Sequence, residues 1–446
     1  MGVGTIVGSG VFVMTGVVAA TKAGPAIVVS FLLSGVVCLL VALCYSELAA
    51  MAPVSGSAYT YTYATLGEGP AFVLGWNLVL EFVVAAAAVA LGFSGMLIGT
   101  LTDLFGVRLP TVISKSPAEG GIVNLPAVLA VLAVVAVVVR DVRLTARVAT
   151  VLVAITVGVL LLVIGVGLPH IQPANWAPFA PFGVGGVVGG AAVGFFAFLG
   201  FDVVAASAEE SRRPQRDLPF AIVTSVVVAS VLYMAIGAVL TGVAPYASLN
   251  TQAPVAAAFG GLHLGWVSGL IFLGSLIALA KGLLLIVYAG TRLSFAMCRD
   301  GLLPAALART RTSSGTPAVL TVVLGFIAAL VAGFVPIDVV AELVNIGALW
   351  AFALVAVGVV VLRVLEPQRD RPFRVPLMPL VPLLAVVGCV ALATTLSGLT
   401  WLRFVGWLAI GLIVYAAYGR THSSLISAAA DTPAPLAVHD AHRDTP

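Results

Sequence analysis

Lys281 is the residue in this chain whose type and position ask most plainly for a task. It stands in a long apolar run with no other charged side chain between His263 and Arg292. Arg292 lies 11 residues further on, about 16 Å along a helix, so the ammonium cannot reach the end of its run. Such a group is costly in hydrocarbon and marks a partner or an ion pathway; Lys281 is therefore a candidate proton carrier. Glu81 raises the same question in another run, deep from either end. A carboxylate at mid-membrane costs about 2.5–3.5 kcal/mol to insert. Glu81 could contact a cationic substrate, exchange a proton, or sit protonated and tie helices together. A static Lys281–Glu81 ion pair is the structural alternative for both.

Two further runs are interrupted by glycine. The first carries Gly2, Gly4, Gly8, Ser9, Gly10 and Gly16; the second runs from Gly183 through Gly194 to Gly200, with Phe195, Phe196, Phe198 and Phe201 clustered in it. Unwound backbone at membrane depth offers free N–H and C=O groups, and half-helix N-termini attract an anion such as a carboxylate. Glycine-broken segments at matching places in two halves point to an inverted-repeat carrier. Gly4/Gly8 and Gly186/Gly190/Gly194 also fit the small-residue spacing of close helix packing, and spacing alone leaves both readings open.

The elements that must position these residues follow from composition. Hydrophobic residues make up 61% of the 446 positions, charged residues 9%, and the mean hydropathy is +1.17. A soluble domain is about half apolar and a quarter charged, so this is an all-α polytopic membrane protein. Apolar runs long enough for a ~30 Å hydrocarbon core are predicted at about 2–18, 25–52, 70–99, 124–140, 144–168, 183–208, 218–243, 262–291, 316–335, 338–363, 376–396 and 401–418, about twelve spans in all. Residues 421–446, rich in Ala, Pro, Asp and His, read as a disordered tail.

With the loop after the second run in the cytoplasm, sixteen of the 21 Lys and Arg fall on the cytoplasmic side and four on the other. The positive-inside rule then places the C-terminus in the cytoplasm of a multi-pass protein of the plasma membrane. The net charge of +3 is too dispersed for nucleic acid. The four cysteines form no CxxC pair, so neither a disulfide nor a metal site is expected. No HExxH, GxSxG or GxGxxG pattern occurs, which argues against an enzyme, and no cofactor is implied.

Gly8-Ser9-Gly10-Val11-Phe12, followed by Ala23-Gly24-Pro25-Ala26, resembles the first span of the amino acid–polyamine–organocation (APC) permeases. Four further segments resemble its cationic amino acid transporter branch: Cys44-Tyr-Ser-Glu-Leu-Ala with Pro53-Val-Ser-Gly-Ser-Ala-Tyr-Thr-Tyr; Phe195-Phe-Ala-Phe-Leu-Gly-Phe-Asp202 with Glu209-Glu210 and Pro214 to Pro219; Ala296 to Pro304; and Arg371-Pro-Phe-Arg-Val-Pro376. The resemblance implies a leucine-transporter-type 5+5 inverted repeat, about 1–168 and 183–363, plus two extra helices at 376–418. It places an amino acid substrate against Ile6, Gly8, Ser9 and Gly10 on one side and Phe195, Phe196, Phe198 and Leu199 on the other, with Phe196 as an aromatic gate.

In many bacterial relatives a lysine of span 5 fills the place that sodium takes in sodium-coupled cousins. The matching stretch here is Ala154-Ile155-Thr156, so Lys281, in span 8, is expected to reach across to the first-span carbonyls near Gly4–Val7 instead. Asp202 and Glu209, with Glu210, lie near Arg212, Arg213 and Arg216 and either form a salt-bridge network that works as an inner gate or simply pair and cap at the interface; Asp217 reads as the cap of the seventh span. Glu47 is expected at the membrane interface. The chain starts only seven residues before Gly8, so the first helix is expected to lack its cytoplasmic half. The implied function is a secondary active amino acid transporter working by alternating access, coupled to protons or to exchange. The alternative is a transporter-like sensor or scaffold that binds without turnover. The lipid bilayer and the substrate are the expected partners; no oligomeric state is implied.

Overall fold

The computed structural model describes residues 4, 6–8, 10–51, 57–140, 143–206, 213–251, 253–262, 265–309 and 317–422. Ser9, Glu209, Glu210, Arg212, the start of the first helix and the tail beyond His422 lie outside them. Among the described residues there is no strand. In hydrocarbon every backbone N–H and C=O must find an internal partner, and a chain of this hydropathy meets that demand with helices.

The first segment, α1, winds through a π turn (Gly10–Met14), an α turn (Thr15–Val18) and a second π turn (Ala19–Ala23). Gly24, at φ +61°, turns it into α2 (Ile27–Met51). The short α3 (Ser57–Leu66) leads into α4 (Glu68–Phe105), and α5 (Leu125–Arg140) and α6 (Arg143–Gly167) complete the first half. The second half opens on a broken helix, α7 (Gly183–Gly194) and α8 (Phe201–Ala206). There follow α9 (Pro214–Val243), α10 (Gly265–Arg299), α11 (Ala318–Phe334) and α12 (Ile337–Leu365), then α13 (Leu380–Ala393) and α14 (Gly398–Val414).

Among the described residues eight stretches are long and apolar enough to cross a bilayer, and α5, α11 and α13 are shorter apolar helices. The first of the eight, Thr15–Met51, contains the Gly24 turn. The protein is thus an all-α, polytopic membrane protein.

Two packing groups organise the interior. Helix α2 lies along α9 and α7, whereas α4 lies along α10 and α12, with α5 and α11 paired beside them. Helices α13 and α14 are peripheral, and α14 exposes Leu399, Leu402, Val405, Ile410, Leu412 and Ile413, as a lipid-facing surface would. It is fastened by Trp76 and Trp407, whose indole N–H groups each donate to the other's backbone carbonyl at 2.9 and 3.1 Å. Asp217 is not the cap of α9: the helix starts at Pro214, because proline needs no N–H partner at the first position, and Asp217 sits in its first turn.

Candidate functional site

The broken helix is held open by its own residues. After Gly194 the chain tightens into a 3-10 turn, Phe195–Phe198, runs extended at Leu199, and restarts at Phe201. Gly200 makes the restart possible with φ +113°, a conformation that an L side chain resists. Opposite it, Gly10 lies so close to Ala197 that a Cβ there would stand 2.3 Å from the Ala197 Cα. The two interrupted segments thus meet at their breaks. The packing reading of the other glycines is also realised: Gly4 abuts Val153, and Gly186 and Gly190 abut Lys22, Ala23 and Ser30, whereas a Cβ added at Gly8 would stand 3.9 Å from the Ile6 carbonyl.

A residue with no local sequence signature joins the breaks. Tyr233 of α9, fully buried, points its hydroxyl at the Ile6 carbonyl (2.9 Å) and the Ala197 carbonyl (2.8 Å). Both are acceptors, so one phenolic proton is shared between the two segments. Ser30 and Ser34 of α2 donate to the carbonyls of Val187 and Ala191 and tie α7 to α2.

Lys281 reaches where the sequence placed it: Nζ donates to the Val7 carbonyl at 3.0 Å, with the side chain 1% exposed. No acid pairs with it among the described residues, so the static pair with Glu81 is not formed. Thr156 is buried and bonds its own helix at the Leu152 carbonyl.

Ile6 and Gly8 on one side and Phe196 and Leu199 on the other line a cavity closed at one flank by Glu81 and Asp202. Its volume is about 30 Å³, room for about one water and not for an amino acid, so its walls must part to admit one. Glu81 Oε2 and Asp202 Oδ2 are buried without a hydrogen-bond partner among the described residues. Phe195 and Phe198 do not line this cavity; both are fully buried in aromatic contacts, Phe195 with Phe352 and Phe198 with Phe31 and Tyr233. Phe201 packs in the core on Tyr45 and Phe352.

A larger cavity of about 660 Å³ lies toward the end that carries Lys22 and Lys115, reaching inward to Val18 and Val193. Asn345 of α12 approaches the Val193 carbonyl at 3.5 Å.

The expected arginine gate is not assembled among the described residues. Asp202 is turned into the core by the Gly200 kink, where Oδ1 accepts from the Gly200 N–H at 3.2 Å, while Arg213 is exposed at the head of α9. Glu47 lies near the end of α2 but is not solvated there: it is 1% exposed and ion-paired with Arg363 and Arg371.

A sequence profile of the amino acid permease family matches residues 1–424. A protein named methylthioribose transporter from Bacillus subtilis (strain 168) is 43% identical over 427 residues, covering 95% of this chain and 92% of the relative. The branched-chain amino acid permease BcaP of the same organism is 42% identical over 430 residues, with the same coverage. The vacuolar cationic amino acid transporter 4 of Arabidopsis thaliana is 37% identical over 377 residues, 82% of this chain and 62% of the relative. A profile match over nearly the whole length, on a polytopic helical protein whose two broken segments meet at a buried cavity, leaves one conclusion: the chain belongs to the amino acid permease family of membrane transporters.

Proposed function

We propose that this chain carries amino acids with apolar side chains across the plasma membrane by alternating access, with Lys281 coupling the cycle to protons. The observation that carries the reading is the cavity between the breaks, where backbone groups of Ile6 and Gly8 face Phe196 and Leu199 across apolar walls from Phe82, Ala85 and Ile286. Backbone of this kind can hold a carboxylate and an ammonium, and the walls suit an aliphatic side chain. In this reading Gly8, Ser9 and Gly10 take the carboxylate, backbone carbonyls around Phe196 take the ammonium, and the Phe196 ring shields the site.

The arginine-rich end, with the C-terminus, faces the cytoplasm; α2, the seven other long stretches and the three shorter helices each pass once, and the segment before Gly24 adds a partial first span, about twelve in all. The Lys22 cavity is then the outer vestibule.

One observation favours a second reading. The unpartnered oxygens of Glu81 and Asp202 on the same cavity would suit a cationic side chain. Relatives at nearly equal identity bear the names of a methylthioribose and a branched-chain amino acid carrier, so identity alone does not choose. Counterflow in proteoliposomes chooses: labelled leucine exchanging against leucine and valine, and not against arginine or lysine, is the expected result. Accumulation driven by arginine alone would transfer the assignment to the second reading, and binding without accumulation would favour a sensor.

A further inference from the structure

At the end of the bundle away from the Lys22 cavity, Glu47 holds three pieces of chain together. It lies one turn before the end of α2. Arg363, in the last turn of α12, donates through Nε to Glu47 Oε1 at 2.9 Å and through Nη2 to Oε2. The Val375 N–H donates to Oε2 at 2.7 Å, and Arg363 Nη2 donates back to the Val375 carbonyl at 3.2 Å. Arg371 Nε stands 3.4 Å from Oε1, while its Nη groups donate to the carbonyls of Leu362, Glu366 and Arg369. One buried carboxylate therefore carries two guanidiniums and a backbone amide, and it fastens the 366–379 loop across the ends of α2 and α12. These helices belong to different packing groups, α2 with α9 and α12 with α4.

We propose that Glu47 is a positioning residue for transport: with Arg363 and Arg371 it forms a latch that holds this end closed and parts when the cavity opens toward it. The proposal rests on the carrier reading above. Apolar packing would close the same seam, and a buried ion pair is no better than apolar packing for stability. What charges add at a membrane end is reversibility. When the ends separate, water enters and rehydrates both ions, whereas a parted apolar seam would expose hydrocarbon to water. The same cluster caps α12, since Arg371 covers its last carbonyls.

Cys44, fully buried one turn before Glu47, is the reporter. In a variant carrying Cys38→Ser, Cys298→Ser and Cys389→Ser, a membrane-impermeant maleimide is presented from the Glu47 end in vesicles, and labelled leucine counterflow is followed in parallel. Glu47→Gln should raise the Cys44 labelling rate by about tenfold or more, the factor attached to losing one charge-assisted hydrogen bond. It should change the maximal counterflow rate while leaving the leucine KM in place. Arg363→Gln should do the same, and the double variant should add nothing to either alone. Glu47→Asp, which keeps the charge but shortens its reach, should label at an intermediate rate and covers the case in which Glu47→Gln does not fold.

Unchanged Cys44 labelling in the variants, or fully additive effects, would overturn the latch. A wild type that labels slowly but moves no leucine would instead count against the leucine reading and leave the latch standing on the labelling result.

Discussion

Tyr233→Phe removes one oxygen from the point where the two broken segments meet. The hydroxyl lies within 2.9 Å of two carbonyls that belong to different segments, Ile6 and Ala197, and the ring stays packed between Phe31 and Phe198 at centroid distances of 5.6 and 5.1 Å. The aromatic contacts survive the substitution, so its cost is the hydrogen bonding alone. Only one proton is available, which limits the loss to about one full bond plus a weak second contact. Interhelical bonds in membranes average about 0.6 kcal/mol and reach about 1.7, and a buried carbonyl left without a donor costs about 1–3 kcal/mol. An expected penalty of about 1–2 kcal/mol corresponds to about a five- to thirtyfold loss in leucine affinity, if the breaks must be held together to form the site. Two measurements on purified protein check this: leucine binding by calorimetry, and thermal unfolding with and without leucine. Affinity should fall while the unliganded unfolding temperature changes little. A Phe variant that binds leucine as the wild type does would refute the clamp, and an equal loss of stability with and without leucine would reduce Tyr233 to ordinary packing.

Gly10→Ala should abolish leucine uptake, because the added Cβ would stand 2.3 Å from Ala197 Cα and backbone cannot yield as a flexible side chain can; overpacking costs about 1–3 kcal/mol, and uptake at wild-type rate would show that the breaks do not meet there. Lys281→Met should leave leucine exchange running but remove its response to an imposed pH gradient in proteoliposomes; an unchanged response would end the coupling role. Trp407→Phe should cost about 0.6 kcal/mol, one of the two reciprocal indole bonds to α4, and leave leucine uptake intact. Lost uptake would place α14 among the moving parts.

The sequence made the breaks and Lys281 legible for local reasons. The glycine-rich stretch marked the right segment, although 183–194 itself forms the regular helix α7 and the break falls after it, at Phe195–Gly200; a lysine far from both ends of its run has few acceptors within reach. The Val7 carbonyl, freed by the neighbouring break, was one of them. Residues that act through distant partners left no such mark. The acceptors of Tyr233 lie 227 and 36 positions away, and the partners of Glu47 lie 316 and 328 positions away; Tyr233 is unremarkable in its own helix, and Glu47 stood out as an acid without showing its partners. Asp202 reads differently in the fold than on paper: with Gly200 at φ +113° its carboxyl is buried and takes up the Gly200 N–H, with no ion pair to Arg213 or Arg216 among the described residues.

The three-residue stretch from Ile6 to Gly8 is where these observations converge. Its consecutive carbonyls are held from opposite sides: Ile6 by Tyr233 on α9, which packs with α2, and Val7 by Lys281 on α10, which packs with α4. The stretch is the seam between the two packing groups, so the groups cannot move apart there without giving up one of the two bonds. The bonds differ in kind. A phenol shared between carbonyls keeps its proton across ordinary pH, whereas an ammonium can lose one. Only on the α10 side can a proton change how firmly the seam is held. With the ammonium on α10 rather than on α6, where Thr156 instead bonds its own helix, the proposed proton coupling would act on this stretch from the α10 side.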